Sequence, residues 1–334
     1  MVEREVIRRI IIEGQEFVNE ISLTERPFFF EQKGNYVFVG IRQAGKSYLL
    51  YQRIQQLLRE EHNINEIVYI NFDDERLRQM TADDLDLILQ AYHSLFDLRP
   101  LLFFDEIQNI EGWEHFARRL ANQKYNIYIT GSNAKMLSRE IATTLGGRFW
   151  NKDVYPYSFA EYLNARNIIL SKNWMYGKQA AEVSKAFNDY FLYGGFPELT
   201  DVIAKRVWLN DIYSKIFFSD LIVRNKVRNE EALGLLVRRL AENVKQPVSY
   251  TRLANLISSI GIKISKATVI EFIRYLKESC LIFPIENYAA KFAERNSNMK
   301  HYFIDNGLLS IFLLDGNTSL LENIVAIHLY KRYG

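Results

Sequence analysis

Eight residues, Gly40-Ile41-Arg42-Gln43-Ala44-Gly45-Lys46-Ser47, restrict this chain more than any other segment. They fit G-x-x-x-x-G-K-[ST] at every fixed position. Their flanks fit too. Apolar residues 36–39 predict a strand running in, and the periodicity of residues 48–54 predicts an amphipathic helix running out. Such a loop wraps backbone N–H groups around phosphate oxygens, and the following helix adds the positive end of its dipole. A nucleoside triphosphate is therefore the expected ligand, held by residues 40–47 and the adjoining Tyr48. Lys46 is placed to reach the β and γ phosphates, and Ser47 to ligate magnesium.

The 334 residues suffice for two or three domains, and 48 % hydrophobic with 25 % charged residues describes an ordinary globular chain. A net charge of +2 argues neither for nor against nucleic acid, so any basic surface has to be local. One cysteine, Cys280 in an apolar stretch, excludes an internal disulfide framework and reads as a buried thiol in a reducing compartment. No apolar run approaches membrane-span length, and the mixed-charge N-terminus is unlike a signal peptide, so the expected location is cytoplasmic, away from membranes. The five histidines show no zinc-ligand spacing.

Residues 1–34 read as an N-terminal helical segment. From 35 to 155, strands expected at 36–39, 66–72, 101–105 and 126–130 alternate with helices, the pattern of an α/β parallel sheet. Residues 156–245 read as helical, broken at Tyr193-Gly194-Gly195-Phe196-Pro197. Over 246–290, helix, Gly261 turn, helix and strand are the parts of a winged helix-turn-helix. Residues 291–334 hold a further strand, an Asn306-Gly307 turn and a last helix.

Three more segments carry candidate chemistry. Leu101-Leu102-Phe103-Phe104 delivers Asp105 and Glu106 to a strand's C-terminal end, where open α/β sheets place ligands. Asp105 is expected to hold magnesium beside Ser47, and Glu106 to accept a proton from the water attacking the γ phosphate. A second strand ends at Thr130-Gly131-Ser132-Asn133, where Asn133 (or Ser132) either orients that water or caps a helix. Arg148, after the pair Gly146-Gly147, either neutralises γ-phosphate charge in a neighbouring subunit or is solvated, which leaves a homo-oligomer open. Lys263, Lys266 and Arg274 give the winged-helix region a mild basic excess that permits DNA, which is placed slightly ahead of a protein partner. No Asn-Lys-x-Asp guanine-reading sequence is found.

Taken together, residues 40–47, 70–77, 104–109 and 130–133, followed by 155–159, 193–197 and 302–307, resemble the prokaryotic AAA+ ATPases related to origin-recognition and archaeal ATPases. That resemblance implies an AAA+ type P-loop NTPase sheet, a helical region, a winged helix and a partial C-terminal α/β domain similar to restriction endonucleases. It implies ATP with magnesium, Glu106 as catalytic base and a polar sensor at Ser132 or Asn133. The chain ends before the strands that bear further acidic and lysine residues in such domains, so Glu322 stands alone and no nuclease activity is expected. The expected function is Mg2+-dependent ATP hydrolysis that switches domain arrangement; the alternative is a slow-hydrolysing, nucleotide-dependent binding module.

Overall fold

The computed structural model describes residues 2–137, 139–286 and 299–333. They form two units: residues 1–40 with 45–154, and residues 41–44 with 155–334.

The first unit is built on a five-stranded, wholly parallel sheet: β1 (Asn35–Val39), β2 (Ile67–Asn71), β3 (Leu101–Asp105), β4 (Ile127–Gly131) and β5 (Phe149–Asp153). The spatial order is β2-β3-β4-β1-β5. Because β4 lies between β1 and β3, the end of β4 separates the loop after β1 from the carboxylates that close β3. β3 is buried along its whole length, as its unbroken apolar run requires when both faces are covered. Helices α1 (Arg4–Glu20), α2 (Lys46–Arg59), α3 (Asp86–His93), α4 (Trp113–Asn122) and α5 (Arg139–Leu145) complete the unit.

Residues 1–34 are part of this unit. Gln15 of α1 donates to the Ile67 carbonyl of β2 at 2.8 Å, and the buried face is Ile7, Ile10, Ile11 and Val18. Phe17 is half-exposed with its ring edge on Tyr51. β5 lies beyond the four expected strands. Its Phe-Trp-Asn-Lys-Asp sequence edges the sheet and is mostly exposed, so it lacks the apolar signal of a central strand.

In the second unit, α6 (Phe159–Ala165), α7 (Gln179–Tyr193), α8 (Lys205–Lys215), a π-helical stretch Ile216–Val223 and α9 (Glu230–Glu242) precede α10 (Tyr250–Ser259) and α11 (Lys266–Glu278). The Ser265 side chain caps α11 by accepting from the Thr268 N–H at 3.1 Å. β6 (Ile282–Ile285) then pairs antiparallel with β7 (Lys300–Phe303). The domain boundary expected at 290 lies outside the described residues, and the strands on either side of it form one ladder. Cys280 is half-buried rather than buried, with a left-handed φ of 57°.

Three motifs of the C-terminal half meet at one buried carboxylate. Asp305 Oδ2 accepts from Gly195 N–H at 2.7 Å, while Oδ1 accepts from Gly307 N–H at 2.7 Å and Leu308 N–H at 3.4 Å. A Cβ on Gly194, whose φ is +79°, would lie 1.9 Å from Asp305 Oδ1, and one on Gly195 would lie 2.3 Å from the Tyr157 carbonyl oxygen. Only glycine fits. Asp305 caps the short helix Asn306–Ser310, so the expected Asn306-Gly307 turn is that helix's first turn. Glu322, on the final helix Asn317–Tyr333, accepts from Lys300 Nζ at 2.7 Å and from the Tyr302 hydroxyl at 2.9 Å. Among the described residues no group of three or more His, Cys, Asp or Glu side chains is disposed to hold a metal, and no helix is long and apolar enough to cross a membrane.

Candidate active site

The site is assembled where three parallel strands end. β1 stops at Val39 and Gly40 begins the loop, its N–H directed at the Gly131 carbonyl at 3.4 Å. A Cβ on Gly40 would sit 2.0 Å from the Val154 carbonyl oxygen, so any larger residue would push the loop off the sheet. Gln43 (φ 60°) and Gly45 (φ 91°) are both left-handed, the kind of turn that gathers successive N–H groups into an anion-binding concavity. No side chain caps the start of α2 at Gly45, which leaves a helix N-terminus suited to an anion.

The remaining loop positions divide by environment. Ile41 and Ala44 are buried, and Tyr48 is half-exposed with its ring against Tyr51 at 5.5 Å. Arg42, in the segment 41–44 that clusters with the second unit, makes a two-point bond there to Asp220 of the π-helical stretch, at 3.1 and 3.0 Å. Asp220 also accepts from Arg224 at 2.9 Å and is only 3 % exposed, so two guanidinium groups stabilise one buried carboxylate.

Lys46 is buried, and its ammonium lies 3.5 Å from Glu106 Oε1. An ammonium taken out of water needs an anionic partner, and this carboxylate supplies one. Asp105 is buried at the end of β3 and accepts hydrogen bonds from the hydroxyls of Ser47, Thr130 and Tyr69, the last at 2.8 Å. Burial and, secondarily, the neighbouring Glu106 push its carboxyl above the usual range, while the three hydroxyls pull it back. Tyr69 is itself raised well above an ordinary phenol by burial and then by Asp105, and shares a 2.8 Å bond with the Tyr51 hydroxyl.

Glu106 turns the chain with a left-handed φ of 52°, a conformation that a non-glycine residue holds only when its surroundings enforce it. They do so here from β4. Thr130 Oγ1 accepts the Glu106 N–H at 3.0 Å, and the Ser132 N–H donates to Glu106 Oε2 at 3.2 Å. Gln108 Nε2 donates to the same carboxylate oxygen, while its own Oε1 is buried without a hydrogen-bond partner.

The structure thus brings together Lys46, Ser47, Asp105, Glu106 and Ser132. Asn133 stands one residue further on and uses its side chain to accept the Lys135 N–H at 2.8 Å, the capping geometry. Arg148 is not brought to the loop within its own chain. It immediately precedes β5, whose first residue is in register with Asn35, and so lies at the edge of the sheet away from Lys46. Its guanidinium donates to the Gly146 carbonyl at 3.2 Å. Tyr69, Thr130 and Gln108 complete the arrangement; Thr130 and Gln108 fall within the segments 130–133 and 104–109 without a role assigned to them, and nothing in its local sequence marks out Tyr69. Oxygen donors from Asp105, Ser47 and Thr130 suit a hard divalent cation such as Mg2+, so the site's composition fits the ion its motif implies.

Comparison with known proteins bears on the family and the fold. Residues 32–163 match the AAA domain family, and residues 184–319 match a domain of unknown function (DUF8612). An uncharacterized protein of Methanocaldococcus jannaschii is 32 % identical over 99 % of this chain and 75 % of its own length. An uncharacterized protein of Haemophilus influenzae is 31 % identical over 89 % of this chain and 74 % of its own length. The chain belongs to their family. Among solved structures, a Walker-type ATPase of Pyrococcus abyssi aligns with 93 % of this chain and 96 % of its own at a TM-score of 0.52 and 14 % identity, a likeness of fold. This family member is therefore an AAA-type P-loop protein with an ATPase-type sheet.

Proposed function

We propose that the chain binds and hydrolyses ATP with Mg2+ at residues 40–48, 105 and 106, and that hydrolysis changes how the loop engages the rest of the protein. The observation that supports this reading is the convergence of the Lys46 ammonium on Glu106 at 3.5 Å, with the Ser47 hydroxyl on Asp105 beside them. Lys46 and the α2 N-terminus bear the triphosphate's negative charge. Ser47 and Asp105 hold the ion, which when bound draws charge off the phosphate oxygens. Glu106, aimed by Gln108 and the Ser132 N–H, accepts the proton of the attacking water. Asn133 or Ser132 senses the γ phosphate. Arg42, held by Asp220, links the loop's state to the helical segment.

We further infer a winged-helix role for the segment 246–290 that carries α10, α11 and β6, with exposed Lys263, Lys266 and Arg274 facing DNA or a protein partner. Arg274 already shares its charge with Glu271 and Glu278, at 3.7 and 4.0 Å, which limits its contribution.

Steady-state hydrolysis by wild type and Glu106→Gln tests the enzyme reading. We expect turnover to fall by about 100-fold or more with ATP affinity retained, since the substitution removes the base and spares the loop. Equal and negligible turnover in both proteins would favour the slow-hydrolysing binding module.

A further inference from the structure

A second charged site lies at the other end of the same sheet. Parallel pairing places every strand's N-terminal end on one edge, and four strands are each preceded by a cation there. Lys33 comes before β1, Arg99 before β3, Lys124 before β4 and Arg148 before β5. With Arg53 of α2 they line an open cleft of about 830 Å³. Five cationic side chains face a single carboxylate, Glu60, and that carboxylate is already bonded to Arg53 at 3.2 Å. A chain of net charge +2 has concentrated cations in one place.

The cleft is also built firmly. Arg53 is 3 % exposed, with its guanidinium fixed by Glu60, by the Tyr128 hydroxyl at 3.2 Å and by the Phe30 ring at 5.5 Å. Arg99 lies over the Tyr125 ring, 4.6 Å from its centre, and donates to the Gln123 carbonyl. The loops that carry the cations are tied to one another: Asn35 donates to the Arg148 carbonyl at 3.3 Å and accepts the Ile127 N–H at 2.9 Å. A merely solvated face would show neither a buried arginine on its floor nor cross-bonded walls.

The order of the cations indicates the ligand. β3, β4, β1 and β5 are consecutive neighbours, so Arg99, Lys124, Lys33 and Arg148 follow one another across three inter-strand steps, a row of roughly 14 Å at about 4.8 Å per step. A compact anion would call for charges converging on one point. A line of regularly spaced charges matches a chain of phosphates: along a nucleic-acid strand, about 14 Å of axis carries roughly four of them. We propose that this cleft binds the phosphodiester backbone of a nucleic acid strand, independently of the loop at the opposite edge and of the winged-helix region. The two edges are separated by a five-residue strand, roughly 16 Å, so strand and nucleotide bind the unit together without competing.

The test uses the full chain and a fluorescein-labelled oligothymidylate of about 20 nucleotides, followed by anisotropy between about 50 and about 200 mM salt. We expect binding in wild type with a log–log salt slope near −3 for about four single-strand phosphates. The double variant Lys33→Glu/Lys124→Glu should bind at least about 10-fold more weakly, with a slope shallower by about 1.4. Both residues are exposed, so the variant should keep the wild-type thermal midpoint and ATP turnover. Arg99→Ala should weaken binding by a smaller factor. No oligonucleotide binding at the lowest salt would overturn the proposal. So would binding unchanged in the double variant but lost in Lys263→Glu/Lys266→Glu. Displacement by tripolyphosphate at equal phosphate concentration would likewise overturn it, by assigning the cleft to a compact anion.

Discussion

Asp105 closes β3 and Asp305 follows β7; both are almost completely buried, at 2 % and 4 % exposure, and in both burial pushes the carboxyl up. Their hydrogen-bond donors differ in kind. Asp105 is held by three hydroxyls, of Ser47, Thr130 and Tyr69, each able to rotate and offer its oxygen elsewhere. Asp305 is held by three backbone N–H groups, of Gly195, Gly307 and Leu308, which cannot turn away. A carboxylate served by rotatable donors can exchange partners with an ion, whereas one served by fixed amides can only hold the chain together. Burial and a raised pKa do not separate chemistry from architecture in this molecule; the donors do.

Neutralising each carboxylate in turn is the strongest way to break that contrast. Asp105→Asn should lower Mg2+-dependent ATP turnover by about 100-fold or more, because the ion loses its charged partner. Its thermal midpoint should not fall, since the hydroxyls reorient and a buried charge is gone. Asp305→Asn should do the reverse. An amide can accept at one oxygen only, so either Gly195 or the Gly307 pair loses its acceptor. The cost of an unsatisfied buried N–H is about 1–3 kcal/mol. We expect a midpoint several degrees lower, by about 2–4 °C per kcal/mol, with ATP affinity unchanged. Calorimetry and turnover on both variants check it; a loss of turnover in Asp305→Asn with full stability would dissolve the distinction.

The pH dependence of the second unit sharpens it. Burial raises Asp305 from 3.8 to about 6, so the folded protein holds that proton more tightly than the unfolded chain. Its contribution is complete below about 3.8 and is lost as pH rises through about 6. His301, buried near Lys277 and Tyr250, is lowered from 6.5 to about 4, so its contribution is complete above 6.5 and is lost as pH falls through about 4. Between about pH 4 and pH 6 the two slopes oppose, and wild-type stability should be nearly flat. Asp305→Asn removes one slope and should leave stability rising with pH across that window, which midpoints at three pH values would reveal. A midpoint independent of pH in the variant would rule out the assignment.

How much of this was legible in the chain follows from how local each signal is. Residues 40–47 and the run ending in Asp105-Glu106 are contiguous, and their chemistry requires those residues at those spacings; they were read directly and lie together. Other bonds that shape the two units join residues far apart in the chain. Gly195 is 110 residues from Asp305 and Asp220 is 178 from Arg42, so neither bond leaves a local pattern. Tyr69 and Thr130 occupy strand positions where an aromatic or β-branched residue is ordinary. β5 went unread because an exposed edge strand carries no apolar run. Asn133 was legible as a residue that ends a strand, and its capping bond to Lys135 is one of the two roles its position allowed.

The smallest effect is expected at Tyr69, and it probes the rotatable donors directly. Tyr69→Phe keeps the ring, which packs against Tyr51 at 5.2 Å, and removes only the hydroxyl. Asp105 then keeps Ser47 and Thr130 but loses the 2.8 Å bond, and the Tyr51 hydroxyl loses its partner. A single hydrogen bond to a charged group contributes roughly 1.5–3 kcal/mol, offset in part by the relief of burying a phenol oxygen, so a net change near about 1 kcal/mol is expected. If the hydroxyls around Asp105 share its charge, turnover should fall by only about 2- to 10-fold, and raising Mg2+ should restore most of the loss because the remaining donors rearrange. A loss as deep as that of Asp105→Asn, unrelieved by Mg2+, would mean that Tyr69 fixes the carboxylate as rigidly as the amides fix Asp305.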